Sequence, residues 1–154
     1  MPEPLSSYPR TWAGGLQIQA ADLWPNGVWR ADSYQMGTIP TTGAATPLLF
    51  YPPAKGSMNT CLVASISGSV QSDTNFITFT CTNLTTGHVM ATMTTKVTGG
   101  EAIPTLGTAT FAPSGTPAFL LCGATDLIEV TAVVTGTLGA AVTGVVIGAF
   151  FFVS

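Results

Sequence analysis

The stretch Asp126–Ser154 limits the fold more than any other part of the chain. From Val130 onward it carries no charge, and Val145-Val-Ile-Gly-Ala-Phe-Phe-Phe-Val153 is apolar at odd and even positions alike. A strand sends successive side chains to opposite faces, so a strand with one wetted face alternates with polar residues. Here both faces read as apolar, and both need a cover. The pattern predicts two long strands, Asp126–Thr135 and Ala141–Val153, joined as a hairpin through the Gly/Thr loop 136–140.

A membrane-spanning helix is the rival reading, because about 20 apolar residues suffice to cross a bilayer. Ala140, Gly144 and Gly148 even form the small-residue row of packed membrane helices. Against it, Thr131, Thr135, Thr137 and Thr143 interrupt the run, and β-branched residues, which favour strands, dominate it. The nearest basic residue is Lys96, so the flanking charge that orients a span is missing. The strand reading prevails, and no membrane contact is expected.

Charge narrows the class further. Only four Lys/Arg and seven Asp/Glu occur in 154 residues, 7% of the chain, against roughly 25% in an ordinary soluble protein. A free monomer relies on a charged surface to stay apart from its copies, so much of this surface is expected to lie against partners. A Thr/Ser-rich neutral surface on a monomer is the alternative, and Thr occurs 25 times. With a net charge of −3 and no cluster of Lys or Arg, a nucleic-acid surface is not expected. The start, Met1-Pro-Glu-Pro-Leu-Ser-Ser, lacks a basic segment followed by an apolar one, which points to synthesis in a cytoplasm. Cys61, Cys81 and Cys122 each sit in an apolar or Thr-rich run and read as buried thiols, with one disulfide plus a free thiol as the alternative.

Residues 1–46 read as an extended Pro/Trp-rich arm with a short hairpin. They hold all three Trp, and Asn26-Gly27 is a strong turn pair between Trp24 and Trp29. Residues 47–154 read as one β-sandwich. Leu48–Tyr51, Cys61–Ser67, Phe76–Thr82, His88–Val97, Thr105–Phe111 and Pro117–Cys122 are strand-like runs with turn signals between them. In Phe76–Thr82 the alternation is clean, with Ile77, Phe79 and Cys81 facing inward and Thr78, Thr80 and Thr82 outward. In His88–Val97 it places Val89, Ala91, Met93, Thr95 and Val97 on one face. The fold class is therefore all-β, an antiparallel sandwich of jelly-roll-like or immunoglobulin-like type, preceded by the arm.

Catalysis needs convergent acids, bases, nucleophiles or metal ligands. The single histidine, His88, opens a strand on its polar face and reads as solvent-facing; nothing in the sequence orders Asp73 or Asp126 beside it. The seven carboxylates are scattered and no closely spaced Cys/His pairs occur, so no catalytic residue, cofactor or metal is expected. Asn83-Leu-Thr85 matches a glycosylation sequon and reads as chance.

A leader of Pro and aromatics, a Thr/Ala/Gly-rich sandwich, and the closing pair Asp126-Leu-Ile-Glu-Val-Thr-Ala-Val-Val-Thr135 and Val145-Val-Ile-Gly-Ala-Phe150 together resemble the small decoration or cement proteins of tailed-phage heads. The resemblance implies a non-enzymatic virion protein, made in the host cytoplasm and placed on the outer capsid surface. It would staple neighbouring major capsid proteins and pair with itself, commonly as a homotrimer. Aromatic residues dominate interface hot spots, so Trp12, Trp24, Trp29, Tyr34, Phe150, Phe151 and Phe152 are the expected contacts. A carbohydrate-binding or adhesin module, stacking sugars on Trp12, Trp24, Trp29 and Tyr34, is the alternative; a protein anchored in a membrane through its C-terminus is a third.

Overall fold

The computed structural model describes residues 28–65, 72–100 and 107–153. Eleven strands run through them: β1 Val28–Gln35, β2 Gly43–Ala44, β3 Leu48–Phe50, β4 Gly56–Ser65, β5 Phe76–Asn83, β6 His88–Thr94, β7 Gly107–Thr110, β8 Ala112–Pro113, β9 Leu121–Cys122, β10 Ile128–Thr135 and β11 Val146–Val153. A 3-10 turn, Pro117–Leu120, precedes β9. Among the described residues no helix is long and apolar enough to cross a membrane.

Strand order identifies the sandwich. One sheet runs β1-β11-β4-β7, with β9 also on β4; the other runs β2-β10-β5-β6-β8, with β3 also on β10. All pairings are antiparallel. The first strand thus lies beside the last, and the chain changes sheet at each step from strand to strand except β2–β3 and β5–β6. Two antiparallel sheets interleaved along the chain in this way make a jelly roll. An immunoglobulin-like sandwich would instead group its first, second, fourth and fifth strands in one sheet.

Alternation holds where the strands are regular. Along β5, Ile77, Phe79 and Cys81 are buried while Thr78, Thr80 and Thr82 are only half-buried on the outer face. Phe79 meets Phe111 edge-on, ring centroids 5.9 Å apart. Along β6 the simple period fails. The register shifts between Cys81/Thr82, whose partners are Ala91 and Val89, leaving Met90 as the extra residue of a β-bulge. The bulge changes the phase, so Met90 is buried and Val89 is exposed rather than sharing the inner face with Ala91, Met93 and Thr95; Val97 is exposed because it lies in a turn beyond the end of β6.

The expected hairpin, arm boundary and Pro117–Cys122 strand are each corrected by the strand pairing. β10 and β11 do not form a hairpin, because they lie in opposite sheets. The connection between them is packed against the segment that follows β1: Met36 donates to the Val145 carbonyl at 2.8 Å, Ile39 and Val142 exchange both backbone bonds, and Leu138 donates to Thr41. Ile39, Leu138, Val142 and Val145 are all buried. Residues 28–46, read from sequence as arm, therefore run within the sandwich, with β1 in register on β11 from Val28↔Val153 to Gln35↔Val146. Pro117–Cys122 is also not one strand. Proline at the first position of the 3-10 turn has its φ already set for a helical turn, and only Leu121–Cys122 pairs, with Ser57 and Gly56.

Candidate functional site

β11 is flanked by β1 and β4 in the middle of the five-stranded sheet, and its two faces differ in what they meet. Ile147, Ala149 and Phe151 are fully buried, with Phe151 opposite the equally buried Met58. The alternate residues Val146, Gly148, Phe150 and Phe152 face away from the core and are half-buried. Phe150 and Phe152 thus form an apolar pair on the outer side of this sheet. Phe152 has Trp29 and Ser57 as its backbone partners on the two neighbouring strands.

The seven aromatic residues expected at an interface separate accordingly. Phe150 and Phe152 are on the outer face. Phe151 is not an interface residue, because the phase of β11 turns it into the core, where its exposure is 0%. Tyr34 is half-buried: it sits opposite Ile147 on the inner face of β1 and stacks on Phe50, with centroids 4.1 Å apart and planes 17° apart. Trp12 and Trp24 lie outside the described residues, as does the side chain of Trp29.

A second region lies at one end of the sandwich, where the turn 83–88, the 3-10 turn and the segment 122–126 converge. Its organiser is Asn83, a polar side chain with 0% exposure at the end of β5. Its Nδ2 donates to Asp126 Oδ2 at 2.8 Å, and its Oδ1 accepts from the backbone N–H groups of Thr85 and Thr86 at 3.0 and 3.2 Å. Asp126 Oδ2 also accepts from Gly123 N–H at 2.9 Å. These bonds stabilise the charged form and hold the Asp126 carboxyl below the usual carboxylate range, the Gly123 bond contributing most and Asn83 next. In the fold Nδ2, the atom a glycan would be joined to at this sequon, is buried and engaged by Asp126.

Beside this network is an open cleft of about 370 Å³ lined by residues that include Lys55, Ser57, Thr86, His88, Cys122 and Asp126. A second cleft, of about 480 Å³, shares His88 and adds Phe119. His88 is half-buried rather than solvent-facing, stacked on Phe119 at 4.0 Å with planes 17° apart. The fold thus places His88 in one cleft with Cys122 and Asp126, which are near each other in sequence but far from it. The thiol is poorly suited to nucleophilic work: burial first, and the Asp126 charge second, push Cys122 up to about 11, and its Sγ donates to the Gly56 carbonyl at 3.7 Å. No group of three or more His, Cys, Asp or Glu suited to a metal occurs among the described residues.

Comparison with known proteins adds little. No protein-family model matches the chain, and no curated protein matches it. Among solved structures the chain is similar to a chain in the structure of infectious bursal disease virus, Gx strain, at 13% identity and a TM-score of 0.29. That match covers 84% of this chain and 35% of the viral one, so the present chain spans about a third of its length.

Sequence reasoning missed the cleft for identifiable reasons. Asn83 and Asp126 are joined by a contact 43 residues apart in sequence, and Phe119 reads as part of a strand. The one local signal was Asn83–Gly87 itself, since an Asn followed by backbone donors two and three residues on is the pattern of an Asx turn.

Proposed function

We propose that the chain is a non-enzymatic structural subunit of a virion, a decoration or cement protein that binds and staples neighbouring major capsid proteins on the outer capsid surface. The observation that carries this reading is the apolar pair Phe150 and Phe152 on the outer face of β11. Apolar area removed from water stabilises a contact by about 25 cal/mol per Å² before association costs are subtracted. A pair of Phe side chains on a weakly charged surface is therefore a natural place for a neighbour to bind. The jelly roll is compatible with this role but does not by itself specify it, because one fold hosts many functions. The raised thiol of Cys122 and the commitment of Asp126 to structural hydrogen bonds favour a non-catalytic reading.

In this account the chain associates with itself as a trimer through the Phe150/Phe152 face, and residues 1–27 clamp the capsid. The cut belongs at Val28, because removing residues to position 30 would also strip the pairs Val28↔Val153, Trp29↔Phe152 and Arg30↔Phe151 from the sandwich. Linked contacts spread over several neighbours act together, so each can be weak. The test is co-sedimentation with shells assembled from the major capsid protein of the encoding virus. The full chain pellets with the shells; a chain lacking residues 1–27 keeps its β circular dichroism and stays in the supernatant. A truncated chain that decorates the shells at full occupancy would overturn the clamp, and a full chain that never pellets would overturn the role.

A further inference from the structure

The cleft at the end of the sandwich holds more polar capacity than its own fold uses. Both structural bonds to Asp126 end on Oδ2, from Asn83 and Gly123, and Oδ1 has no hydrogen-bond partner among the described residues. The Lys55 ammonium, the Ser57 and Thr86 hydroxyls and the His88 ring nitrogens, which line the same cleft, are likewise uncommitted. His88 lines both clefts and Phe119 only the second, so the stacked pair forms a ridge between them.

We propose that this cleft binds a neutral saccharide, with one sugar unit in the smaller cleft and the chain of units passing over the His88/Phe119 ridge into the larger one. Charge selects the ligand class. An anionic group would have to sit near the Asp126 carboxylate and a cationic one near the Lys55 ammonium, so neither is favoured over a neutral molecule. Several single donors and acceptors around a concave surface suit a ligand that offers many hydroxyls, each able to donate and accept. Asp126 Oδ1 accepts from one or two sugar hydroxyls in a charge-assisted bond, Lys55 donates, and Ser57 and Thr86 do either. The C–H face of the sugar ring lies on the ridge, because aromatic faces carry partial negative charge and attract the weakly positive C–H groups. The volumes of about 370 and 480 Å³ fall within the size of small-ligand sites. This site uses none of the Trp residues expected from sequence to stack sugars, and it does not depend on the capsid role.

The test uses the full chain and a panel of neutral oligosaccharides of glucose, galactose, mannose and N-acetylglucosamine, with sialylated and sulfated counterparts and an unstructured neutral peptide as comparators, read by saturation-transfer NMR. The expected result is binding of at least one neutral oligosaccharide with a Kd on the order of 0.1–1 mM, weakened about tenfold or more by Phe119→Ala and about threefold to tenfold by Thr86→Val. Thr86 is exposed, so its variant tests the site even if Phe119→Ala perturbs the local fold. Three results would overturn the proposal: no neutral saccharide bound at a concentration of about 10 mM, binding unchanged in both variants, or a preference for the acidic glycans or the peptide.

Discussion

Tyr34 lies flat on Phe50, ring centroids 4.1 Å apart, and so ties the first strand of one sheet to a short strand of the other. The contact closes one side of the sandwich, where β1 and β3 lie at or near the sheet edges. Stacked aromatic pairs are worth about 0.5–1.5 kcal/mol beyond the area they bury.

Replacing either ring by alanine is expected to destabilise the fold by about 2–4 kcal/mol, at or below the upper end of large-to-small core changes because Tyr34 is only partly buried. Urea denaturation of the two single variants and the double variant measures the coupling. Additive losses would mean that the rings do not act as a pair.

Thr95 extends the β5–β6 ladder beyond the end of β6. Its N–H donates to the Ile77 carbonyl at 2.9 Å, and its Oγ1 accepts from Ile77 N–H at 2.9 Å, inside the protein. Thr95→Val keeps the shape but leaves the Ile77 N–H buried without an acceptor, which costs about 1–3 kcal/mol. Thermal unfolding shows this as a lower Tm. Thr92→Val, on the exposed face of the same strand, serves as the neutral control.

Two carboxylates pin loops and make them acid-sensitive. Asp73 accepts from the N–H and hydroxyl of Thr98 at 2.7 and 2.9 Å, and Asp126 from Gly123 and Asn83. Both are held below the usual carboxylate range, Asp73 chiefly by the Thr98 backbone bond, then by the Thr98 hydroxyl, with Lys96 contributing less. A carboxyl depressed in the folded state contributes stability above its unfolded value, and that contribution is lost as pH falls through the folded value. The Thr98 and Gly123 amide resonances are therefore expected to titrate together with their carboxylates, with midpoints below about 3.9, the ordinary Asp value. A midpoint at or above that value would show that the clamps do not form in solution.

How much of this was legible from sequence depended on the range of the interaction. Phe76–Asn83 could be read residue by residue, since alternation is a property of the strand itself. Met90 could not, because a bulge is set by the pairing of β6 with β5 and shifts the phase without a local signal. Nor could sheet membership: Asp126–Thr135 and Ala141–Val153 are neighbours in sequence and strands by composition, but β10 pairs with β5 and β11 with β4 and β1, all distant in the chain. β1 was missed because Arg30-Ala-Asp-Ser-Tyr-Gln35 is mostly polar, and only its register on β11 makes it a strand. The same phase decides that Phe151 is core and Phe150 and Phe152 are surface, a distinction invisible in three consecutive Phe. For the cleft, the sequence held the residues but not their meeting.

The native mass of the purified chain in detergent-free buffer, measured by light scattering at several concentrations, decides whether the chain self-associates through its outward Phe residues. The account predicts a discrete trimer that Phe150→Ser with Phe152→Ser converts to a folded monomer. Phe151→Ala, by contrast, lowers the stability of the fold by about 3–5 kcal/mol, as expected for a buried aromatic. A wild-type chain that runs as a monomer at every concentration, or a trimer indifferent to the loss of both outward Phe side chains, would contradict it.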